Sequence, residues 1–534
     1  MRFGNERGNG GMRQFHISGV CYPEKHYMAD LSGRLQQMKK MTDNGDYFVI
    51  NRARQYGKTT MLRALQRYLQ PDYAVIFMSF QKMSSARFRD ESAFSRAFAH
   101  EFVKKAVSSA QNGKLESRAL QALDEKSRGT HEPFDLTELF ELLSDVCAQA
   151  QQKIVLIIDE ADQASDNQVF VDFLGQLREY YQNREETPAF HSVILAGVYD
   201  IRNMRTKIRP EEAHRYNSPW NVAAPFEVSM RFLPEDIVTM LAEYEKEHHT
   251  GMDMQAAAQE LYRVTGGYPY LVSCLCKKLD ETGMGWDAAD LWMAVRDLLK
   301  EQNTLFDDVI KNIQNHPEFA RLAEQLAVFG AKIVFERNNP VIGLGAMFGI
   351  LTERDGKAAV SNMIFETLIL NYFTSVRATE ALLHSDYLEK GQYICNGRLD
   401  MEHVICRFAD FMKAEYRRED GTFLEKQGRL LFLSFLRPII NGTGHYAVEP
   451  QTRQNMRMDI QVFYGKDEFV VELKRWNGAA YEQKGYEQLA EYLAARGLKK
   501  GYLVSFCRNV KKPQRERWLR YGPYEICEVI VECG

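Results

Sequence analysis

Two clusters of residues could carry chemistry on phosphates. The first is Gly57-Lys58-Thr59-Thr60, which follows the short apolar run Tyr47–Ile50 and precedes the helical pattern Met61, Leu62, Leu65, Leu69. A strand, a tight loop and a helix N-terminus place backbone N–H groups against an anion. In such a loop Gly57, Lys58, Thr59 and Thr60 hold the phosphates, with Lys58 reaching the β- and γ-phosphates and the Thr59 hydroxyl ligating Mg2+. Where this kind of loop usually begins with glycine, the chain has Arg52. Alone, the segment could be a basic loop ahead of an ordinary helix. A second segment, Lys153–Asp162, argues against that: an apolar run ends in Asp159 and Glu160, as a buried parallel strand delivers carboxylates to the C-terminal edge of a sheet. Asp159 would hold the magnesium through water and Glu160 would polarise the attacking water.

The second cluster lies near the C-terminus. The runs Met458–Tyr464 and Phe469–Arg475 flank a turn at 465–468 and read as a hairpin. Because alternate strand residues share a face, Asp459, Glu472 and Lys474 can converge on one side. Two carboxylates and an ammonium are the parts for binding Mg2+ or Mn2+ and activating water against a phosphodiester. Any hairpin with one wet face also alternates in this way. Glu449 on the preceding extended piece supplies a further carboxylate, and Gln488 and Tyr492 are placed four apart on the following helix. Arg496, Lys499, Lys500, Arg508, Lys511, Lys512, Arg515, Arg517 and Arg520 crowd the end of the chain, a patch that could track a phosphate backbone or simply face solvent.

These residues need several bodies to position them. A chain of 534 residues exceeds one core, and roughly 150 residues per domain suggests about three or four. With 45% hydrophobic and 26% charged residues it has the composition of a folded globular protein, and the net charge of -4 gives no global pull toward polyanions or acidic membranes. Nine scattered cysteines match neither a zinc spacing nor a disulfide framework, and no apolar run is long enough to cross a bilayer. A reducing, cytoplasmic setting is expected, with no membrane partner.

The pattern predicts an α/β multidomain chain. Residues 1–20 read as a flexible tail. Residues 21–233 alternate strands (Tyr47–Ile50, Ala74–Phe80, Ile154–Ile158, Ser192–Val198) with helices, the signature of a parallel sheet. Residues 234–300 read as a helical lid opening at Pro234-Glu235-Asp236. Residues 301–385 combine the helix Phe319–Phe329, extended pieces, a glycine-rich stretch through Gly343, Gly345 and Gly349, and a turn at Asp355-Gly356, which suggests a winged helix. Residues 386–534 form the last unit. Arg202, Arg205, Arg209 and Arg215 follow the Ser192–Val198 strand; one of them could sense the γ-phosphate, although for any single one a solvated basic loop is the plainer reading.

The phrases Asn51–Thr59, Asn217–Asn221 and Thr265–Val272 resemble the bacterial AAA-like ATPases, close to the archaeal-type and STAND ATPases, over Cys21–Phe373. The resemblance implies ATP as the ligand and a Gly267-Tyr268-Pro269 turn that begins a lid helix near the nucleotide. It also accounts for Arg52, since such proteins often carry an Arg-rich loop there. From Leu424 to Phe506 the order of an extra carboxylate, Asp459, Glu472-x-Lys474 and Gln488-x-x-x-Tyr492 resembles the PD-(D/E)XK nucleases, and Phe435–Gly442 looks like the C-terminal domain that accompanies this ATPase. Together these imply an ATPase coupled to a Mg2+- or Mn2+-dependent nuclease. Its partner would be nucleic acid, DNA ahead of RNA, with room for a homo-oligomer through the ATPase module and, by analogy of architecture, a role in defence against foreign DNA. The alternative is a nucleotide-controlled scaffold that holds nucleic acid without cutting it.

Overall fold

The computed structural model describes residues 12–109, 115, 117–129, 133–164, 167–198, 220, 222–328, 330–380, 390–415, 425–440, 443–448, 460–475, 479–507 and 516–532. The chain divides into two compact units, Met1–Ala294 with Met347–Gly349, and Val295–Ala346 with Ile350–Gly534.

The first unit is built on four parallel strands, β1 Phe48–Asn51, β2 Ala74–Ser79, β3 Ile154–Asp159 and β4 Ser192–Gly197, in the order β1-β4-β3-β2. Every residue of β3 and β4 is buried, which is why their sequences are continuous apolar runs and not alternating ones. Beyond β1, Ala224 bridges to Phe48 in parallel, its N–H donating to the Tyr47 carbonyl at 2.7 Å. Helices cover both faces. The helix Lys58–Leu69 turns Met61, Leu62, Leu65 and Leu69 inward, the three leucines at 0% exposure. An aromatic cluster around Phe94, Phe98, Phe170 and Phe173 fills one side of the sheet.

The predicted lid is helical: Pro234–His248, Met254–Thr265 and Pro269–Thr282 follow one another. Two of these helices begin with proline, where the missing N–H costs nothing. The tail expected over 1–20 gives way to anchored structure well before residue 20. Arg13 donates to Glu243 and Glu247 of the first lid helix, each at 2.7 Å, and Phe15 is buried beside Tyr27 and Tyr244. Ion pairing and aromatic packing hold Arg13 and Phe15 of the segment read as a tail; residues 1–11 lie outside the described residues.

The second unit contains the 301–385 segment, apart from Met347–Gly349, and the 386–534 segment. In the first of these, Thr304–Asn315 and Pro317–Ala327 are helices, and Leu351–Arg354 and Lys357–Val360 pair as a hairpin. Asp355 (φ 52) and Gly356 (φ 73) both take left-handed backbone, as a tight two-residue turn requires. The glycine-rich stretch around Gly343 and Gly345, to which the sequence assigned no element, is the helix Pro340–Met347. The glycines are there for close approach: a Cβ at Gly345 would lie 2.6 Å from Leu351 and Phe319, and one at Gly343 would lie 2.8 Å from the Arg337 carbonyl.

The C-terminal segment forms a six-stranded mixed sheet from Gly444–Val448, Ile460–Tyr464, Asp467–Arg475, Lys500–Cys507, Glu516–Tyr521 and Tyr524–Glu532. The predicted hairpin is present, with Ile460 opposite Val471. One face packs on the helices Met401–Glu415 and Glu425–Ile440 through Val471, Leu473, Val504, Phe506 and Val529. The other face meets the helix Ala479–Arg496 through Val470, Leu503 and Ile526 against Tyr486, Leu489 and Leu493. The strand Glu516–Tyr521 lies in a region that the sequence showed only as a basic run, because Arg517 and Arg520 stand among its apolar residues.

Candidate functional site

Parallel strands deliver their C-terminal ends to one edge of the sheet, and there Asn51, Asp159 and Gly197 are brought together. The loop after Asn51 turns through Gln55 (φ 56) and Gly57 (φ 78) before the helix starts at Lys58. Arg52 is not one of its left-handed residues, so no glycine is required there. Its N–H donates to the Gly197 carbonyl at 3.2 Å and extends the pairing with β4. The Arg52 guanidinium donates to the carbonyls of Asn51 (2.8 Å) and Val228 (3.2 Å) and stacks 5.4 Å from the Phe226 ring centroid.

Lys58 is 6% exposed, and its Nζ donates to the carbonyls of Arg52 (2.9 Å) and Ala53 (3.0 Å). Burial pushes its ammonium down from the ordinary lysine range, while Glu160, Asp162 and Asp159 hold it up. The Thr59 hydroxyl donates to Asp159 Oδ2 at 2.7 Å, so the two residues expected around Mg2+ meet. Thr60 accepts from the Cys21 N–H at 3.2 Å, which ties the N-terminal segment to the phosphate loop.

Glu160 takes left-handed backbone (φ 53), a conformation that costs a non-glycine residue about 1–3 kcal/mol. Its N–H donates to Asp159 Oδ1 at 3.0 Å. Burial pushes the Glu160 carboxyl up and the nearby Lys58 opposes this. Asp162, read in the sequence only as part of the acidic end, accepts from the Val198 N–H at 2.9 Å and sits against Gly197, where a Cβ would lie 2.9 Å from its Oδ1.

Two contacts were not legible in the sequence. Arg231 Nε donates to the Tyr56 hydroxyl at 2.9 Å, bringing a cation onto the phosphate loop. The Tyr268 hydroxyl donates to the Arg54 carbonyl, and its ring meets Tyr56 edge-on at 4.5 Å. The expected Gly267-Tyr268-Pro269 turn thus fastens the lid to the loop. Gly267 (φ 71) is indispensable to it, since a Cβ would fall 2.0 Å from the Phe232 carbonyl oxygen. Arg202, Arg205, Arg209 and Arg215 lie outside the described residues.

In the second unit Glu472 and Lys474 do share a face: Lys474 Nζ lies 2.8 Å from Glu472 Oε1, and Glu472 is buried. Asp459 and Glu449 lie outside the described residues. Gln488 is exposed, whereas Tyr492 is buried, so the two do not share the inward face. Four residues advance about 40° beyond a full helical turn, and the buried stripe of Tyr486, Leu489 and Leu493 ends in that interval. The basic run is partly consumed by pairing. Arg496 binds Glu468 at 2.8 Å, Lys500 lies 3.5 Å from Glu525, and Arg517 donates at 2.7 Å to the fully buried Glu528, which also accepts from Tyr486 and Ser505. Arg508, Lys511, Lys512 and Arg515 lie outside the described residues.

Among the described residues no helix is long and apolar enough to cross a membrane. No curated protein matches the chain. Among solved structures, a Walker-type ATPase of Pyrococcus abyssi matches at 14% identity and a TM-score of 0.45, over 66% of this chain and 99% of that one. The Aeropyrum pernix ORC1 protein in complex with DNA matches at 12% and 0.30, over 66% and 94%. The Aeropyrum pernix ORC2 protein matches at 10% and 0.35, over 68% and 97%. These likenesses are distant. The family model for the AAA-like domain matches residues 20–367, most of the chain, and with the loop, Thr59 and Asp159 in place the chain belongs to the AAA-like family of P-loop ATPases.

Proposed function

We propose that the first unit hydrolyses ATP with Mg2+ and that this controls a metal-dependent nuclease in residues 386–534. The reading of hydrolysis rests on the Thr59–Asp159 hydrogen bond of 2.7 Å beside Glu160. Thr59 and Asp159 would hold Mg2+ between the phosphates and the strand, Lys58 would neutralise the γ-phosphate, and Glu160 would orient water. Arg52 does not stand against this, since its side chain is engaged with Phe226 and Val228 on the flank of the loop.

The nuclease reading rests on the Glu472–Lys474 pair, a buried carboxylate held beside an ammonium on one strand face. Glu472, with Asp459 and Glu449, would ligate Mg2+ or Mn2+, and Lys474 would stabilise the attacking hydroxide or the charge that develops on phosphate. Gln488 keeps an outer place, where it would meet substrate and not metal. Residues 301–385, with their helices and Asp355-Gly356 hairpin, would act as a winged helix that presents DNA. Assembly through the ATPase module, a cytoplasmic location and a role against foreign DNA complete the proposal.

The test is a cleavage assay on single- and double-stranded DNA and RNA with Mg2+ or Mn2+, with and without ATP. Cleavage that disappears in Glu472→Gln and changes with ATP supports the coupling. ATP turnover with equal cleavage by wild type and Glu472→Gln removes the nuclease, and leaves a nucleotide-controlled nucleic-acid-binding scaffold.

A further inference from the structure

On the sheet face opposite Glu472, four side chains that no part of the foregoing chemistry uses are gathered. Glu402 and Cys406 lie one turn apart on the helix Met401–Glu415, Glu516 opens the strand Glu516–Tyr521, and Cys527 lies on Tyr524–Glu532. One ligand atom each from Glu402, Glu516 and Cys527 lies within 4.8 Å of the others. Cys406 Sγ is 3.3 Å from Glu516 Oε2. Cys527 is 0% exposed, and among the described residues no hydrogen bond takes its thiol. The register separates this group from the nuclease residues: Cys527 pairs with Tyr502, and Tyr502 with Val471, so Cys527 projects to the side opposite the neighbouring Glu472.

We infer that Glu402, Glu516 and Cys527 form a site for a divalent cation of the zinc class, which Cys406, now beside Glu516 and outside that trio, completes as a tetrahedron by turning its side chain inward. Zinc bonds of about 2.3 Å to sulfur and about 2.0 Å to oxygen place neighbouring donors roughly 3.3–3.8 Å apart, the spacing that Cys406 and Glu516 already have. Two carboxylates crowded over a buried thiol repel one another unless a proton or cation lies between them. Two sulfurs favour zinc over Mg2+ or Ca2+, which take oxygen donors. Trp518 Nε1 donates to Glu402 Oε1 at 3.0 Å, the kind of outer contact that fixes a ligand's orientation. Exposed Glu516 gives the ion a way in. On binding, both S–H bonds break, two metal–sulfur bonds form and two protons leave to solvent. Such an ion would clamp the last two strands to the helix Met401–Glu415, a structural role suited to a site without an open position.

The full-length protein, kept reduced with a phosphine and stripped with chelator, is titrated with Co2+ while the near-ultraviolet thiolate-to-cobalt band is followed. Wild type should saturate at one Co2+ that Zn2+ displaces. Cys527→Ser should lose most of the band, Cys406→Ser about half of it, and Glu516→Gln should bind at least about 10-fold more weakly. Glu516 is exposed, so its variant keeps the core intact, and circular dichroism checks this. Absence of the band in wild type, or wild-type affinity and band strength in Glu516→Gln and Cys406→Ser, overturns the site.

Discussion

Replacing Arg52 by glycine restores the residue type usual at the start of a phosphate loop, and two views of Arg52 predict opposite results. If the arginine distorts the loop, Arg52→Gly should speed ATP turnover. In the structure its backbone is ordinary and its guanidinium reaches two carbonyls and the Phe226 ring. The substitution then removes a cation–π contact of about 0.5–1 kcal/mol. It also removes hydrogen bonds from a charged donor, about 1.5 kcal/mol after exchange with water, and adds backbone entropy to the unfolded chain, about 0.5–1 kcal/mol. The sum is a loss of roughly 3 kcal/mol from the first unit, and at about 2–4 °C per kcal/mol its melting midpoint should fall by around 10 °C. Turnover at a temperature where the variant is folded should not rise. Thermal melts followed by circular dichroism, together with phosphate release, measure both quantities. An unchanged melting midpoint with turnover raised several-fold would refute the reasoning.

Four further outcomes are expected. Glu160→Gln should keep nucleotide binding by calorimetry while phosphate release falls by about 10²–10⁴, and equal turnover would remove Glu160 as the base. Because burial raises the Glu160 carboxyl, its ionised form exists only above that raised value; wild-type turnover should therefore fade on acidification at a higher pH than an ordinary carboxylate would give, as a pH–rate profile will show. Leu65→Ala, at a fully buried position on the helix that starts at Lys58, should destabilise the first unit by about 2–5 kcal/mol in a denaturant melt. Lys474→Ala should lose cleavage and also stability by taking the ammonium from beside the buried Glu472 carboxylate, whereas isosteric Glu472→Gln should lose cleavage with a smaller change in melting.

Local order and spacing made the nucleotide site legible. Gly57-Lys58-Thr59 marks a helix N-terminus, and the apolar run into Asp159 marks a buried strand whose end must reach the same edge. The alternation around Glu472 and Lys474 likewise required that they share a face, whatever the rest of the fold did. These are short-range rules of backbone geometry, and tertiary structure had only to respect them.

Other features depended on packing between segments far apart in sequence. Where the Arg52 side chain goes follows from Phe226 and Val228, which no local pattern links to it. That residues 12–20 are held follows from Glu243 and Glu247, far along the chain. Gln488 turns outward because the buried stripe of its helix is set by the sheet beneath, and Arg517 serves Glu528 because a strand pairing, invisible in a basic run, puts them side by side. The sequence alone therefore determined which residues sit at strand ends, helix starts and alternating faces, since those depend on backbone periods. Only the tertiary structure decided which charges are spent on one another, because that depends on which distant segments the packed core brings within hydrogen-bonding distance.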